Sequence, residues 1–142
     1  MTRVMGIDYG QKRIGIALSD TLQLFASPCL TIINNKNSIE EICQEIVRIA
    51  EREKIGTIVI GLPLFQDGTP SKQTGEVEKF IRALKKVCIL PIATFDERYS
   101  SLEAKEIVIR KGKSTRKSKE KIDQIAAAII LQNYLNSKES EK

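Results

Sequence analysis

Histidine is absent from the 142 residues, and that gap removes more chemistry than any other feature of the composition. Without imidazole there is no Ser-His-Asp or Cys-His nucleophile pair, no His general acid or base and no His-ligated zinc. Catalysis, if present, must rest on carboxylates, hydroxyls, lysine or a hard metal ion. Cysteine is sparse, and Cys29, Cys43 and Cys88 are odd in number, widely spaced and set in apolar runs. That is the pattern of buried reduced thiols, not of a disulfide framework or a zinc site. Aromatic residues make up only 5% and do not cluster, so readout by stacked bases is not indicated. No apolar stretch approaches the ~20 residues of a membrane span, and Arg3 leads into a strand with no signal-peptide pattern before it. The expectation is a cytoplasmic protein without a membrane partner.

What is present is ordinary in amount and uneven in placement. The composition is 42% hydrophobic and 29% charged, as in folded soluble domains. The length predicts one domain over residues 1–142, with 137–142 as a frayed tail. A net charge of +5 and a pI near 9.2 favour a polyanionic partner, though charge alone is weak evidence.

The chain is organised around VMGIDYGQKRIGIALSD, residues 4–20. Apolar runs at Val4–Tyr9 and Ile14–Ser19 flank a Gly-Gln-Lys-Arg turn and read as an antiparallel hairpin. Strand periodicity puts Val4, Gly6 and Asp8 on one face and Met5, Ile7 and Tyr9 on the other. It likewise separates Gly15, Ala17 and Ser19 from Ile14, Ile16 and Leu18. A carboxylate inside so apolar a run needs a reason, because burying an unpaired charge is costly. One reason is that Asp8 caps its own turn. The other is that the small-residue face leaves room for something large and charged that is not part of the protein.

Further along, a third apolar run spans Phe25–Ile33. Ser38 with Glu41 forms a capping box for a helix to about Lys54, with Ile39, Ile42, Cys43, Ile46, Ile49 and Ala50 at helical spacing on one stripe. Thr57–Ile60 reads as a buried parallel strand. Thr69 then caps a helix with Pro70 at its first position and Val77, Phe80, Ile81 and Leu84 inward. Leu90–Phe95 is the next strand. Ser100 with Glu103 opens a helix to about Arg110, residues 111–119 read as a basic loop, and a last helix runs from Glu120 to Asn136. Three antiparallel strands followed by helix-strand crossovers predict an α/β fold: a mixed five-stranded sheet with helices on both faces, the ribonuclease H-like architecture.

In that architecture three acidic positions from distant parts of the chain converge on one edge of the sheet. They are Asp8, Asp96-Glu97 at the end of the last strand, and Asp123 on the inward stripe of the final helix. Neighbours in an extended chain point oppositely, so only one of Asp96 and Glu97 faces the others; Glu97 has the longer reach. Clustered carboxylates call for a cation, and Mg²⁺ or Mn²⁺ suits all-oxygen ligands and phosphodiester hydrolysis. Each acid has a simpler role too. Asp123 can favour a helix N-terminus, Glu97 can pair with Arg98 or Lys105, and Asp20 and Asp67 sit in turns.

The stretch RKGKSTRKSKEK just before Asp123 carries seven basic residues, Arg110, Lys111, Lys113, Arg116, Lys117, Lys119 and Lys121, against one acid, Glu120. A basic arm beside an acidic metal site is what a phosphodiester enzyme needs to hold a strand in register. A solvated loop would have the same composition.

The blocks GIDYGQKRIGIALSD, IGLPLFQDGTPSKQT, FDERYSS and KIDQIAAAIILQNYL resemble, in order, the signature blocks of the YqgF (RuvX-like) family. The resemblance runs from about Met5 to Leu135. It implies a ribonuclease H-like fold, kinship with Holliday junction resolvases of the RuvC kind, and nuclease activity in 5′-end processing of precursor 16S ribosomal RNA. By motif it carries the acidic roles to Asp8, Asp96 or Glu97, and Asp123, and basic roles to Lys12, Arg13 and Arg98. Tyr99 and the pair Phe65-Gln66 depart from the family pattern without touching a carboxylate.

Together these readings give a metal-dependent endonuclease for structured RNA, with Asp8, Glu97 and Asp123 as ligands of Mg²⁺ or Mn²⁺ and Asp96 as a further candidate. Lys12, Arg13, Arg98, Arg110, Lys111, Lys113, Arg116, Lys117 and Lys119 are the expected phosphate contacts. The expected partners are pre-rRNA, branched DNA as the alternative, and ribosomal precursor particles; the expected state is a monomer or weak homodimer. The competing readings are a Holliday junction resolvase and a non-catalytic RNA-binding assembly factor.

Overall fold

Strand-forming apolar runs and segments of helical periodicity give eight elements, among the described residues, in the computed structural model. It describes residues 2–35, 37–65, 67–96 and 116–140. In chain order these are β1 (Arg3–Tyr9), β2 (Arg13–Ser19), β3 (Ala26–Ile33), α1 (Ile39–Arg52), β4 (Ile55–Leu62), α2 (Lys72–Lys85), β5 (Ile92–Asp96) and α3 (Arg116–Ser140). The strands form one sheet in the order β3-β2-β1-β4-β5. β1 pairs antiparallel with β2, and β2 with β3, whereas β4 runs parallel to both β1 and β5. The expected mixed five-stranded architecture is therefore present. The expected helix from Ser100 lies outside the described residues.

Side-chain parity divides the core in two. Met5, Ile7 and Tyr9 of β1 join Ile14 and Ile16 of β2 and the buried faces of α1 and α2 in one apolar cluster. Tyr9 stacks on Phe80 of α2 with ring centroids 4.4 Å apart. On the other face Val4, Ala17 and Val59 pack against Ala127, Ile130, Leu131 and Leu135 of α3. The stripe residues expected on α1 and α2 are buried, except Ile39 at the start of α1, which is half-buried against the same cluster.

The space above the small-residue face is where expectation and structure part. It is filled by the protein's own helix α3, which lies over β1, β2 and β3. A Cβ on Gly15 would land inside the van der Waals shell of the Asp123 carbonyl oxygen, and one on Gly6 would come within 2.7 Å of Leu131 Cβ and 2.9 Å of the Ala127 carbonyl. The absence of side chains at these positions, with the buried Ala126 and Ala127 opposite, lets helix and sheet backbones approach closely.

Local chemistry moves several boundaries. The N-cap of α2 is Ser71, not Thr69, and a capping box joins Ser71 and Thr74. Thr69 is not available as a cap because its N–H and hydroxyl both donate to Asp67 Oδ1, at 2.9 and 2.6 Å. Helix α3 begins at Arg116 and continues to Ser140. Part of the expected basic loop and part of the expected tail are thus helical; no Gly or Pro interrupts residues 116–140. Among the cysteines, all free, Cys43 is buried and its thiol is pushed up to about 11, first by burial and then by Glu40. Cys29 is exposed, against expectation. The β2–β3 register shifts between Ile16 and Ala17, which face Leu30 and Pro28, so Cys29 is the extra residue of a bulge on an edge strand.

Gly15→Ala should lower the free energy of unfolding by about 3 kcal/mol or more in urea, because the obstacle is backbone rather than a movable side chain. Gly75→Ala, where a Cβ meets nothing within 4 Å, should instead raise it by about 0.5–1 kcal/mol.

Candidate active site

Asp8 stands near the carboxyl end of β1, the strand at the centre of the sheet, and is partly exposed. Its partner across the ladder is Gly15, and the partner of Gly15 is Thr31. Directly opposed residues share a face and lie about 4.5–5.5 Å apart between Cα atoms. Asp8, Gly15 and Thr31 therefore form a row under α3.

The turn of α3 above this row is anchored on β3 and on β2. The Thr31 hydroxyl donates to the Glu120 carbonyl at 2.9 Å and accepts from Gln124 Nε2 at 3.1 Å. Gly15 receives the Asp123 backbone against its bare Cα. Arg13, two residues before Gly15 on the same face, donates from Nε to Asp123 Oδ2 at 2.7 Å. The Arg13 and Asp123 side chains are only 28% and 18% exposed. Asp123 is the eighth residue of α3, past the first turn to which a helix dipole effect is confined. Its inward direction comes from the Ala126, Ala127 and Ile130 stripe that it shares.

Asp8 and Asp123 are thus brought to the same face of the same strand pair, from positions far apart in the chain. Asp96 is not brought with them. Ala93 and Phe95 of β5 pack on the α3 side, so alternation assigns Asp96, in register with Leu62, to the opposite face. Glu97, Arg98, Arg110, Lys111 and Lys113 lie outside the described residues. Arg116, Lys117 and Lys119 fall in the first turn of α3, and Lys119 is exposed. Lys12 is exposed on the β1–β2 turn, which Asn34 ties down through bonds to the carbonyls of Lys12 and Gly10 at 2.9 and 2.7 Å. Asp20 and Asp67 are turn residues, as expected. Asp20 accepts from the N–H groups of Leu24 and Phe25, and the Phe25 bond most of all holds its carboxyl below the usual range.

The donor set suits a hard dication: carboxylate oxygens, with neither imidazole nor thiolate beside them. Among the described residues no three His, Cys, Asp or Glu side chains form a group able to hold a metal ion. Asp8 and Asp123 share the α3 face of β1 and β2, on either side of Gly15. A cavity of about 290 Å³ lies at the opposite end of the sheet, by Val4 and Thr57, away from both acids. A polymeric substrate needs an open edge rather than an enclosed cavity.

Sequence reading missed Thr31 and Gln124, and it misread Gly15. Thr31 was one polar residue in an apolar strand, and only its register opposite Gly15 gives it meaning.

Three antiparallel strands followed by two parallel ones, with helices on both faces, define a ribonuclease H-like fold. Solved structures share that fold over nearly the whole chain. RuvC of T. thermophilus, in complex with a Holliday junction substrate, superposes with a TM-score of 0.62 at 13% identity, covering 99% of this chain and 97% of that one. The fowlpox virus resolvase, in complex with Holliday junction DNA, gives 0.55 at 12%, covering 96% and 98%. The chain belongs to the RuvX family, described as Holliday junction resolvase, whose family model matches residues 2–137. Relatives named as candidate pre-16S rRNA nucleases include those of Endomicrobium trichonymphae, 39% identical over 99% of this chain and 100% of the relative, and Syntrophus aciditrophicus, 41% identical over 99% and 92%.

Thr31→Val removes both bonds to α3 while keeping the strand-forming shape. It should lower stability by about 1–3 kcal/mol in chemical denaturation, since the Glu120 carbonyl and the Gln124 amide each lose a partly buried partner.

Proposed function

We propose that this chain is a divalent-metal-dependent endonuclease that hydrolyses phosphodiester bonds of structured RNA, in 5′-end processing of pre-16S rRNA. The observation that carries the reading is the placement of Asp8 and Asp123 on one face of the sheet, about the Gly15 seat of α3. The relatives' names support the substrate, and the absence of histidine removes imidazole acid-base and nucleophile chemistry from the alternatives.

In this reading Asp8 and Asp123 hold Mg²⁺ or Mn²⁺, and Glu97 is the third ligand. Asp96, on the other face by alternation, serves no metal. An ion held there would supply Lewis-acid chemistry, lowering the pKa of a water and offsetting charge on the leaving oxygen. Lys12, on its tied turn, and Lys119, on the first turn of α3, hold the phosphate backbone. Arg98, Arg110, Lys111, Lys113, Arg116 and Lys117 extend that contact. Phosphate contacts of this kind carry no sequence information, so the substrate is chosen by its shape. A single domain over residues 1–142, working in the cytoplasm, fits this role. No helix of the described residues is long and apolar enough to cross a membrane. A second reading, resolution of four-way DNA junctions, is favoured by the description of the matched family.

The test is cleavage of a labelled precursor 16S 5′-leader RNA and a synthetic four-way DNA junction, each with Mg²⁺, Mn²⁺ or EDTA, beside Asp8→Asn. RNA cutting in either metal should fall to background with EDTA and with the substitution. Junction cutting alone would move the assignment to a resolvase. Salt-sensitive RNA binding by folded protein without cleavage in any metal would overturn the nuclease in favour of a binding factor.

A further inference from the structure

Motif resemblance assigns Arg13 to the nucleic acid, but its guanidinium is engaged within the protein, at 2.7 Å from Asp123 Oδ2. This pair is shorter and more shielded than the Arg3–Glu53 pair, at 3.4 Å, and differs in kind from the pair along α1. Arg48 and Glu45 are i,i+3 neighbours on α1, 65% and 42% exposed, and such pairs contribute little. Arg13 and Asp123 are 110 residues apart, join a strand to a helix and are largely shielded from solvent.

Strand β2 meets the same turn of α3 twice. Gly15 receives the backbone of Asp123, and Arg13, on the same face, takes its carboxylate. The position of the residue and the orientation of its side chain are thus set by two residues of one strand. Asp8 lies across the ladder from Gly15, so the strand that holds Asp123 by its backbone and its carboxylate also neighbours the other acid on this face. Arginine suits that place: it stays charged, is planar and is more weakly hydrated than an ammonium group.

We propose that Arg13 is a positioning residue, which holds the Asp123 carboxylate beside Asp8 in the orientation a divalent cation requires, instead of contacting a substrate phosphate. The proposal rests on the reading of Asp8 and Asp123 as metal ligands given above. Groups that orient a ligating carboxylate from outside typically change metal affinity by about 10–100-fold when removed.

The experiment is a titration with Mn²⁺, followed by electron paramagnetic resonance, on the full chain without nucleic acid. It compares wild type, Arg13→Gln, Arg13→Lys and Gln132→Ala, with thermal unfolding and salt-dependent RNA binding measured on each. Gln132 anchors α3 further along, to Ala26 N and the Leu24 carbonyl, and serves as the structural control. Arg13→Gln should bind Mn²⁺ about 10–100-fold more weakly, and Arg13→Lys should recover part of the loss. Gln132→Ala should unfold at lower temperature yet bind Mn²⁺ like wild type, and the salt dependence of RNA binding should be unchanged in Arg13→Gln. If Arg13→Gln does not fold, Arg13→Lys carries the test, and wild-type Mn²⁺ affinity in it would overturn the proposal. Wild-type Mn²⁺ affinity in Arg13→Gln with a salt slope shallower by about one would make Arg13 a phosphate contact and overturn it too. So would equal losses of affinity in Arg13→Gln and Gln132→Ala. Failure of the wild type itself to bind Mn²⁺ would overturn the metal-nuclease reading, and the positioning role with it.

Discussion

The close approach of α3 to strand β2 at Gly15 is the constraint on which the rest of the site depends. Were any side chain present there, the backbone of Asp123 could not lie where it does. The helix would have to rise or slide, and the carboxylate it carries would leave the neighbourhood of Asp8. Gly6 repeats the condition two strand residues from Asp8, where Ala127 and Leu131 come down onto β1. Packing at these two points therefore sets the geometry of the acids, and packed interiors yield little to adjustment.

The second face of the sheet does different work. Large branched side chains from β1 and β2 interlock with α1 and α2, and the Tyr9–Phe80 stack fixes the end of the strand next to Asp8. One face is thus filled with bulky residues that hold the strand rigid, and the other is stripped to Gly and Ala so that a helix can deliver a carboxylate. Parity along β1 separates the two functions within seven residues. Polar anchors at Thr31 and Arg13 then select one register of helix over sheet, which apolar contact alone specifies weakly.

The fold was largely legible because its strands alternate cleanly and its helices carry complete stripes: Asp8 and Asp123 could be placed on inward faces from periodicity alone. The small face of β2 was also legible, but its occupant was not. Gly15 and Ala17 look the same whether they make room for a ligand or for a helix backbone, and the helix in question is more than 100 residues away in sequence. The N-cap of α2 was misplaced because Thr69 and Ser71 both have capping side chains, and only the Asp67 turn decides between them. Arg13 carried a motif that suggested phosphate, and nothing local in the sequence announces a partner on the final helix. Long-range pairing is what a linear reading lacks.

The central claim, that Asp8 and Asp123 form one cation site, is tested most directly by diffraction from crystals of the full chain soaked in Mn²⁺, with anomalous maps recorded at the manganese edge. The account predicts a peak within about 2.0–2.3 Å of a carboxylate oxygen of each residue, on the α3 face of the sheet. A well-ordered site with both carboxylates in place and no peak between them, or a peak held by Asp96 on the other face, would contradict it.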